Sequence, residues 1–178
     1  VFQNVKSFAV YGQGNLHLAD PLSLTLGGRW TTDKKSGTYA QASSPFTQTL
    51  RATEALTFPG INEDRFTYRV SLNYKPNQDV LVFANHSTGY KSGGFDAGNG
   101  GTLGRNRLFR PETTTNYELG AKTEFLNRAV TANATLFRMD VDDFQLRSFN
   151  GQTFSIRNAG SLRQQGVEFD VTARPLEG

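Results

Sequence analysis

The run from Arg65 to Lys75, RFTYRVSLNYK, alternates two opposite chemistries residue by residue. In a strand, Phe66, Tyr68, Val70, Leu72 and Tyr74 fall on one face, because side chains alternate with period two. Arg65, Thr67, Arg69, Ser71, Asn73 and Lys75 fall on the other. At about 3.3 Å per residue, such a run crosses the hydrocarbon core of a bilayer when tilted by roughly 45°. A soluble sheet carries the same pattern, so its repetition and the way the copies are joined decide the fold.

The pattern repeats along the chain. A first strand is expected over Ser7 to Leu18, with Phe8, Val10, Leu16 and Leu18 on one parity and Gly12 and Gly14 interrupting that face. After the turn signal Asp20-Pro21 comes a second, where Leu22, Leu24, Leu26 and Trp30 oppose Ser23, Thr25, Gly27 and Arg29. Asp33 to Asp64 is polar, carries Gly37, Pro45, Pro59 and Gly60, and reads as a loop; its centre, Phe46 to Phe58, can hold a short strand. The opening segment is the third strand. A turn at Pro76 to Asp79 leads to the fourth, Val80 to Lys91, with Leu81 and Phe83 on one parity. The glycine-rich stretch from Ser92 to Thr114 reads as a loop.

Tyr117, Leu119, Ala121, Thr123 and Phe125 then oppose Glu118, Gly120, Lys122 and Glu124 in a fifth strand. A turn at Leu126-Asn127-Arg128 leads to a sixth, where Phe137, Met139 and Val141 oppose Arg138, Asp140 and Asp142. A loop near Ser148 to Gln152 precedes the seventh, where Val167, Phe169, Val171 and Ala173 oppose Glu168, Asp170, Thr172 and Arg174.

Connections alternate between short and long, as in transmembrane barrels with short periplasmic turns and long extracellular loops. Loops beyond about 15 residues are uncommon in compact soluble domains. An odd number of strands does not close a bacterial single-chain barrel. The expected fold is therefore all-β: an antiparallel up-and-down transmembrane β-barrel segment, about seven or eight strands of a larger barrel. Val1 and the closing Arg-Pro-Leu-Glu-Gly read as cut ends of something longer.

Energetics assigns the faces. An Arg or Lys facing lipid at mid-membrane depth costs roughly 2–4 kcal/mol. Arg29, Arg69 and Lys122 together would then consume most of a typical stability margin of about 5–15 kcal/mol. The lumen-facing residues are therefore expected to be Arg29, Arg65, Arg69, Lys75, Glu118, Lys122, Glu168 and Asp170. Phe66, Tyr68, Val70, Leu72, Tyr74, Val167, Phe169 and Val171 are expected to face lipid.

Composition excludes several classes. Hydrophobic residues make up 37% of the chain, yet 14 are Phe, which argues against disorder. Cysteine is absent, which rules out a disulfide framework and thiolate metal sites. A net charge of +3, spread without a basic stripe, gives no nucleic-acid signal. Two lone histidines, His17 and His86, and scattered serines make neither a metal site nor a catalytic triad, so no cofactor, metal or enzymatic activity is expected. Asp140, Asp142 and Asp143 read as a water-facing row with its loop end, because no Gly or distal Glu completes a calcium loop. Gly98 to Gly104, GNGGTLG, lacks the spacing and Lys-Ser/Thr ending of a phosphate-binding loop.

Three blocks carry a resemblance. They are GYKSGGF at Gly89 to Phe95, FRPE at Phe109 to Glu112 continuing into NYELGAK at Asn116 to Lys122, and Asn158-Ala159-Gly160 followed by GVEFD at Gly166 to Asp170. The early AVYGQ at Ala9 to Gln13 and Gly28-Arg29-Trp30 agree. In this order and spacing the chain resembles the TonB-dependent receptors, outer-membrane transporters of Gram-negative bacteria. The resemblance covers nearly the whole chain, so residues 1–178 are expected to be part of one such barrel domain.

It implies a 22-stranded barrel, energy coupling to the TonB-ExbB-ExbD system through a plug domain that this chain lacks, and a scarce nutrient as ligand: a ferric siderophore first, then a glycan or cobalamin. Outer-membrane lipid and lipopolysaccharide are the implied surroundings. A passive porin or structural barrel is the alternative. The cluster Arg105 to Arg110 offers weak substrate-binding candidates in Arg105, Arg107 and Phe109, because guanidinium forks recognise carboxylates and phosphates and an adjacent ring can stack. The competing reading is a loop anchor paired with local carboxylates such as Glu112.

Overall fold

The computed structural model describes residues 1–46, 53–96, 107–149, 151 and 154–174. Seven strands form one antiparallel meander: β1 (Phe2–Ala19), β2 (Leu22–Gln41), β3 (Glu54–Asn77), β4 (Val80–Lys91), β7 (Glu112–Phe125), β8 (Val130–Asp142) and β11 (Leu162–Ala173). Two short hairpins, β5 (Gly94–Phe95) with β6 (Leu108–Phe109) and β9 (Gln145–Phe149) with β10 (Phe154–Asn158), sit in the long connections. No helix occurs among the described residues.

The short turns gather at one end and the long connections at the other. Asp20 and Pro21 join β1 to β2, and Gln78 and Asp79 join β3 to β4. Leu126, Asn127 and Arg128, in the β7–β8 turn, all have left-handed backbone, with φ of 52°, 56° and 69°. Such strain persists where surroundings fix it; here Arg128 Nε reaches Glu124 at 3.0 Å and Asp79 at 3.8 Å, tying this turn to its neighbour.

Register sets the faces. The row Leu24, Leu72, Ala84, Leu119, Leu136 and Val167 runs across β2, β3, β4, β7, β8 and β11 on what is here called the apolar face. The parallel row Thr25, Ser71, Asn85, Glu118, Phe137 and Gly166 lies on the opposite, polar face. Phe8, Val10 and Leu16 of β1 pair with Thr32, Trp30 and Leu24, so the phase left open by Gly12 and Gly14 is that of the apolar face. Its apolar positions run over 22–30 in β2, 66–74 in β3, 130–136 in β8 and 167–173 in β11. That is seven to nine residues per strand, close to the 9–11 needed for a tilted transmembrane strand. Trp30, Phe66, Tyr68 and Tyr117 rim this band on the loop side, and Tyr74 and Phe125 on the turn side, all about a third to three-fifths exposed.

The structure corrects four expectations. Asp33 to Asp64 is mostly strand: β2 and β3 stay paired out to Gln41 and Glu54. Beyond the apolar band the β2 side of this arm is mostly polar on both parities, with Tyr39 isolated near its end, so alternation gives no signal while the backbone ladder continues. Pro59 and Gly60 sit where the register shifts between Lys35 and Gly37, a bulge that accommodates a residue without an N–H. The expected strand at Phe46 to Phe58 is, in its described part, the start of β3, and residues 47–52 lie outside the described residues. The Ser92 to Thr114 loop likewise gives its last residues to β7, which begins at Glu112.

The other two corrections concern phase. Leu81 and Phe83 lie on the polar face, because Phe83 pairs with Asn73 and Gly120. In β8, Phe137, Met139 and Val141 are also on the polar face, opposite Glu118, Asn116 and Thr114, whereas Leu136, Arg138 and Asp140 are on the apolar side. Leu136 and Phe137 are adjacent hydrophobes, so the alternation has two phases there and only cross-strand register selects one. Both phenylalanines rest on glycine of the next strand. Gly120 pairs with Phe83, and a Cβ built on Gly166 would lie 3.1 Å from the Phe137 ring. Aromatic cover of a strand glycine explains both the misplaced rings and two glycines of the NYELGAK and GVEFD blocks.

Candidate functional site

The polar face is half-covered by the chain's own loops, and its core lies there. After Ser87 pairs with Arg69, β4 loses its ladder to β3, and the Tyr68 N–H turns instead to Thr88 Oγ1 at 3.0 Å. The segment that follows folds across the polar face of β2 and β3. The Tyr90 hydroxyl donates to Asp33 Oδ2, Lys35 Nζ donates to the Gly93 carbonyl at 2.6 Å, and the Gly93 N–H donates to Glu63 Oε2 at 3.1 Å. Phe95 stacks on Phe58 with ring centroids 4.4 Å apart. The Arg107 guanidinium lies 4.3 Å above the Tyr39 ring, and its Nη1 donates to the Asp96 carbonyl at 3.2 Å. Tyr39, Phe58, Asp96 and Arg107 are buried, so this fold-back is a small core in its own right.

A second knot ties the bases of two long connections together. Gln145 Nε2 lies within hydrogen-bond reach of the carbonyls of Ser92 at 3.2 Å and Arg110 at 3.1 Å, and its N–H donates to Glu112 Oε2 at 2.7 Å. Asn158 accepts from the Arg110 N–H at 2.7 Å and donates to the carbonyls of Arg110 at 3.0 Å and Asp143 at 2.7 Å. The Arg110 guanidinium pairs with the Asp143 carboxylate. These partners let the chain leave regular pairing without stranding its backbone polar groups.

Electrostatics follows from the contacts. Burial and the hydrogen bond to Asp33 push the Tyr90 phenol up to about 12. Burial raises Asp33, yet hydrogen bonds from Ser7 and Tyr90 and the Lys35 charge outweigh it and hold the carboxyl below its ordinary value. The Tyr90–Asp33 pair is thus a neutral donor on a charged acceptor throughout the physiological range. The Arg110 hydrogen bond and charge hold Asp143 low. Hydrogen bonds from Arg163 and Arg138 do the same for Asp140.

Deeper on the polar face, Ser71 Oγ donates to Asn85, Asn85 Nδ2 donates to Glu118 Oε2 at 2.9 Å, and Asn116 Nδ2 donates to Glu118 Oε1 at 2.8 Å. Asn133 reaches Asp170 at 2.8 Å from the next pair of strands. Arg29, Arg65, Arg69, Glu118, Lys122, Glu168 and Asp170 share this face by register. Lys75 stands at its turn end, where its N–H donates to the Pro21 carbonyl at 2.9 Å. Phe66, Tyr68, Val70, Leu72, Tyr74, Val167, Phe169 and Val171 share the apolar face.

Of the three weak ligand candidates, Arg105 lies outside the described residues, as does the GNGGTLG stretch. Arg107 is packed on Tyr39, and Phe109 covers Gly94, whose Cβ would sit 2.7 Å from the ring. Both side chains thus rest on the chain's own residues. The carboxylate partner of the neighbouring Arg110 is Asp143, while Glu112 caps Gln145. Among the described residues no group of three or more His, Asp or Glu could hold a metal ion. His86 stands between Tyr68 and Tyr117 on the apolar face, with centroids at 5.4 and 4.7 Å.

The sequence pointed to Asn158 only as a motif letter, and to Glu112 as a carboxylate for the neighbouring arginines, whereas Glu112 accepts from the Gln145 N–H. It gave no warning of Asp33, Lys35, Glu63 and Gln145, polar residues in stretches with no periodicity, whose roles depend on the loop that folds onto them.

Comparison with known proteins fits this architecture. The family described as TonB dependent receptor-like, beta-barrel, matches residues 2–176. A probable TonB-dependent siderophore receptor, PiuA, of Acinetobacter baumannii is 24% identical over 171 residues, 94% of this chain and 21% of that protein. The pesticin receptor of Yersinia pestis is 27% identical over 179 residues, 99% of this chain and 25% of that protein. The chain thus spans about a quarter or less of the curated relatives it matches. The crystal structure of the ferric yersiniabactin uptake receptor FyuA from Yersinia pestis superposes with a TM-score of 0.81 at 26% identity, covering 99% of this chain and 25% of that one. The copper transporter OprC shares the fold, with a TM-score of 0.76 at 17% identity over 99% of this chain and 28% of that one. The chain belongs to the TonB-dependent receptor-like β-barrel family, whose members are outer-membrane transport receptors and not enzymes.

Proposed function

We propose that this chain is a wall-and-loop segment of an outer-membrane receptor that takes up a ferric siderophore by energy coupling to the TonB-ExbB-ExbD system. In this reading the apolar face, with its aromatic rims, meets lipid. The polar face, with Arg29, Arg65, Arg69, Lys75, Glu118, Lys122, Glu168 and Asp170, lines the lumen. Lipid exposure of that charged row would cost roughly 2–4 kcal/mol per Arg or Lys at the midplane.

The observation that carries the reading is the fold-back of 90–95 and 107–110 over the polar face, clamped by Asp33, Lys35, Glu63 and Tyr39. A loop fixed across the inside of the wall narrows the passage and presents a shaped mouth for one ligand, which suits selective capture better than passive flow. The names of the relatives, a siderophore receptor and a ferric yersiniabactin uptake receptor, point to an iron chelate as ligand class.

The test is uptake of labelled ferric siderophores by cells dependent on the full-length receptor, with and without the energy-coupling system. Saturable uptake that vanishes when coupling is removed supports the proposal. Uptake that continues without coupling and never saturates would make the protein a passive porin.

A further inference from the structure

Just beyond the apolar band on the loop side, the apolar face carries a charged group that the transport reading does not use. Arg138 on β8 and Arg163 on β11 flank Asp140: Arg138 Nε donates to Oδ2 at 2.9 Å and Arg163 Nε to Oδ1 at 2.5 Å. Register places Arg138 beside Tyr117 and Gln165, and Asp140 beside Thr115 and Arg163. Tyr117 belongs to the aromatic rim, so Arg138 stands level with the rim and the Asp140–Arg163 pair lies one residue pair above it. Leu136 and Val167, the next outward pair toward the turns, close the apolar band below.

The use of Nε matters. Asp140 occupies one donor on each guanidinium and sets its plane, while the terminal amino groups of both arginines have no protein partner among the described residues. Both arginines are about half exposed, at 48% and 57% of the side chain, whereas Asp140 is only 25% exposed. Two oriented, unfilled forks are therefore presented outward, with the carboxylate set behind them. Asp142 stands further out on the same face, so the attraction is that of local forks and not of a broad positive field. Planar forks of this kind are matched to bidentate recognition of phosphate.

We propose that Arg138 and Arg163, oriented by Asp140, bind a phosphate group of the outer-leaflet glycolipid, with Gln165 and Thr115 available to its sugar hydroxyls. The height of the group fits that ligand: headgroup phosphates lie immediately outside the hydrocarbon, where an aromatic rim also sits. The site would fix the rotational setting of the wall against its most tightly packed lipid and would fasten β8 to β11 at the base of a long connection. The proposal rests on the lipid-facing assignment of the apolar face, and the experiment separates the two.

The full-length receptor in detergent micelles is titrated with fluorescently labelled lipopolysaccharide and with the same preparation after enzymatic dephosphorylation. The wild type should bind the phosphorylated form about tenfold or more tightly than the dephosphorylated one, the scale of losing charge-assisted hydrogen bonds. The Arg138→Gln/Arg163→Gln double variant should lose that preference while keeping wild-type ferric siderophore affinity. Arg138→Lys/Arg163→Lys should fall between them, because it keeps charge without the fork. Equal wild-type binding of both lipid forms overturns the proposal without any variant, as does an unchanged preference in the double Gln variant. A fluorophore at position 167 reports on the premise: quenching by brominated lipid upholds the face assignment whatever the titration gives, and its absence would overturn both.

Discussion

Asn158 and Arg110 hold each other twice: the Arg110 N–H donates to Asn158 Oδ1 at 2.7 Å, and Asn158 Nδ2 donates back to the Arg110 carbonyl at 3.0 Å. They are 48 residues apart in sequence and belong to different long connections. One side-chain amide thus closes the backbone of another loop as a strand partner would, and adds the Asp143 carbonyl at 2.7 Å. Two motif blocks that look like separate landmarks in the sequence are one joint in the fold.

Asn158→Ala should therefore free the two loops without unfolding the wall. Each lost bond contributes roughly 0.5–1.5 kcal/mol. Hydrogen exchange at Arg110, Phe144 and Ala159 should quicken by one to two orders of magnitude, while the heat at which the barrel unfolds in detergent stays near that of the wild type.

Gly93→Ala tests the fold-back. A Cβ there would lie 2.6 Å from the Phe109 carbonyl and 2.7 Å from Glu63 Oε1, a clash with backbone and with the clamp itself. Overpacking of this sort costs about 1–3 kcal/mol. The variant should assemble normally, show increased protease cleavage between 93 and 110, and lose siderophore affinity. Tyr90→Phe removes only the bond to Asp33 and should do the same more weakly.

The Arg110–Asp143 pair supplies a pH dependence of defined sign. Because the folded Asp143 lies below the ordinary value of 3.8, the stabilisation is fully present above that value and is lost as pH falls through the lower folded one. Loop protection factors, which remove the intrinsic pH dependence of exchange, should thus be flat from neutral pH down to about 4 and fall below it. Asp143→Asn should remove the transition. Both side chains are well exposed, so the effect should be small and should shrink in high salt. Tyr90, held neutral to about 12, should add no step below the alkaline range.

Much of the wall was legible because one physical rule, period two with an energetic penalty for misplacing charge, acts on every strand. It assigned β3 and β11, the extent of β4 and the alternation of turns and loops. It failed where that rule is silent. From Asp33 to Gln41 the residues are mostly polar on both parities, with Tyr39 isolated among them, so the long arm of β2 looks like a loop. At Leu136-Phe137 two phases compete, and the choice rests on Phe137 finding Gly166 on a strand almost thirty residues away. The anchoring residues were hidden for a third reason. Gln145 and Lys35 bind main-chain carbonyls, and a carbonyl has no identity in a sequence.

Phe169→Arg against Asp170→Asn probes the cost of reversing the faces. Phe169 is 70% exposed on the apolar face and pairs with Ala134, whereas Asp170 meets Asn133 on the polar one. An arginine facing lipid costs roughly 2–4 kcal/mol at the midplane and far less near the interface. Outer-membrane assembly of F169R should fall severalfold, while D170N assembles as wild type.

The central claim is that one face of this sheet meets lipid and the other a watery lumen. The most direct measurement is a spin-label scan from 134 to 141 and from 166 to 172 in the full-length receptor in bilayers, reading collisions with oxygen dissolved in lipid and with a water-soluble nickel chelate. The expected result is period-two alternation, with oxygen favoured at 134, 136, 167, 169 and 171 and the chelate favoured at 135, 168, 170 and 172. Labels at 137 should side with 135, not with 136. Uniform accessibility along either strand, or oxygen contact at 137 and 168, would contradict the account.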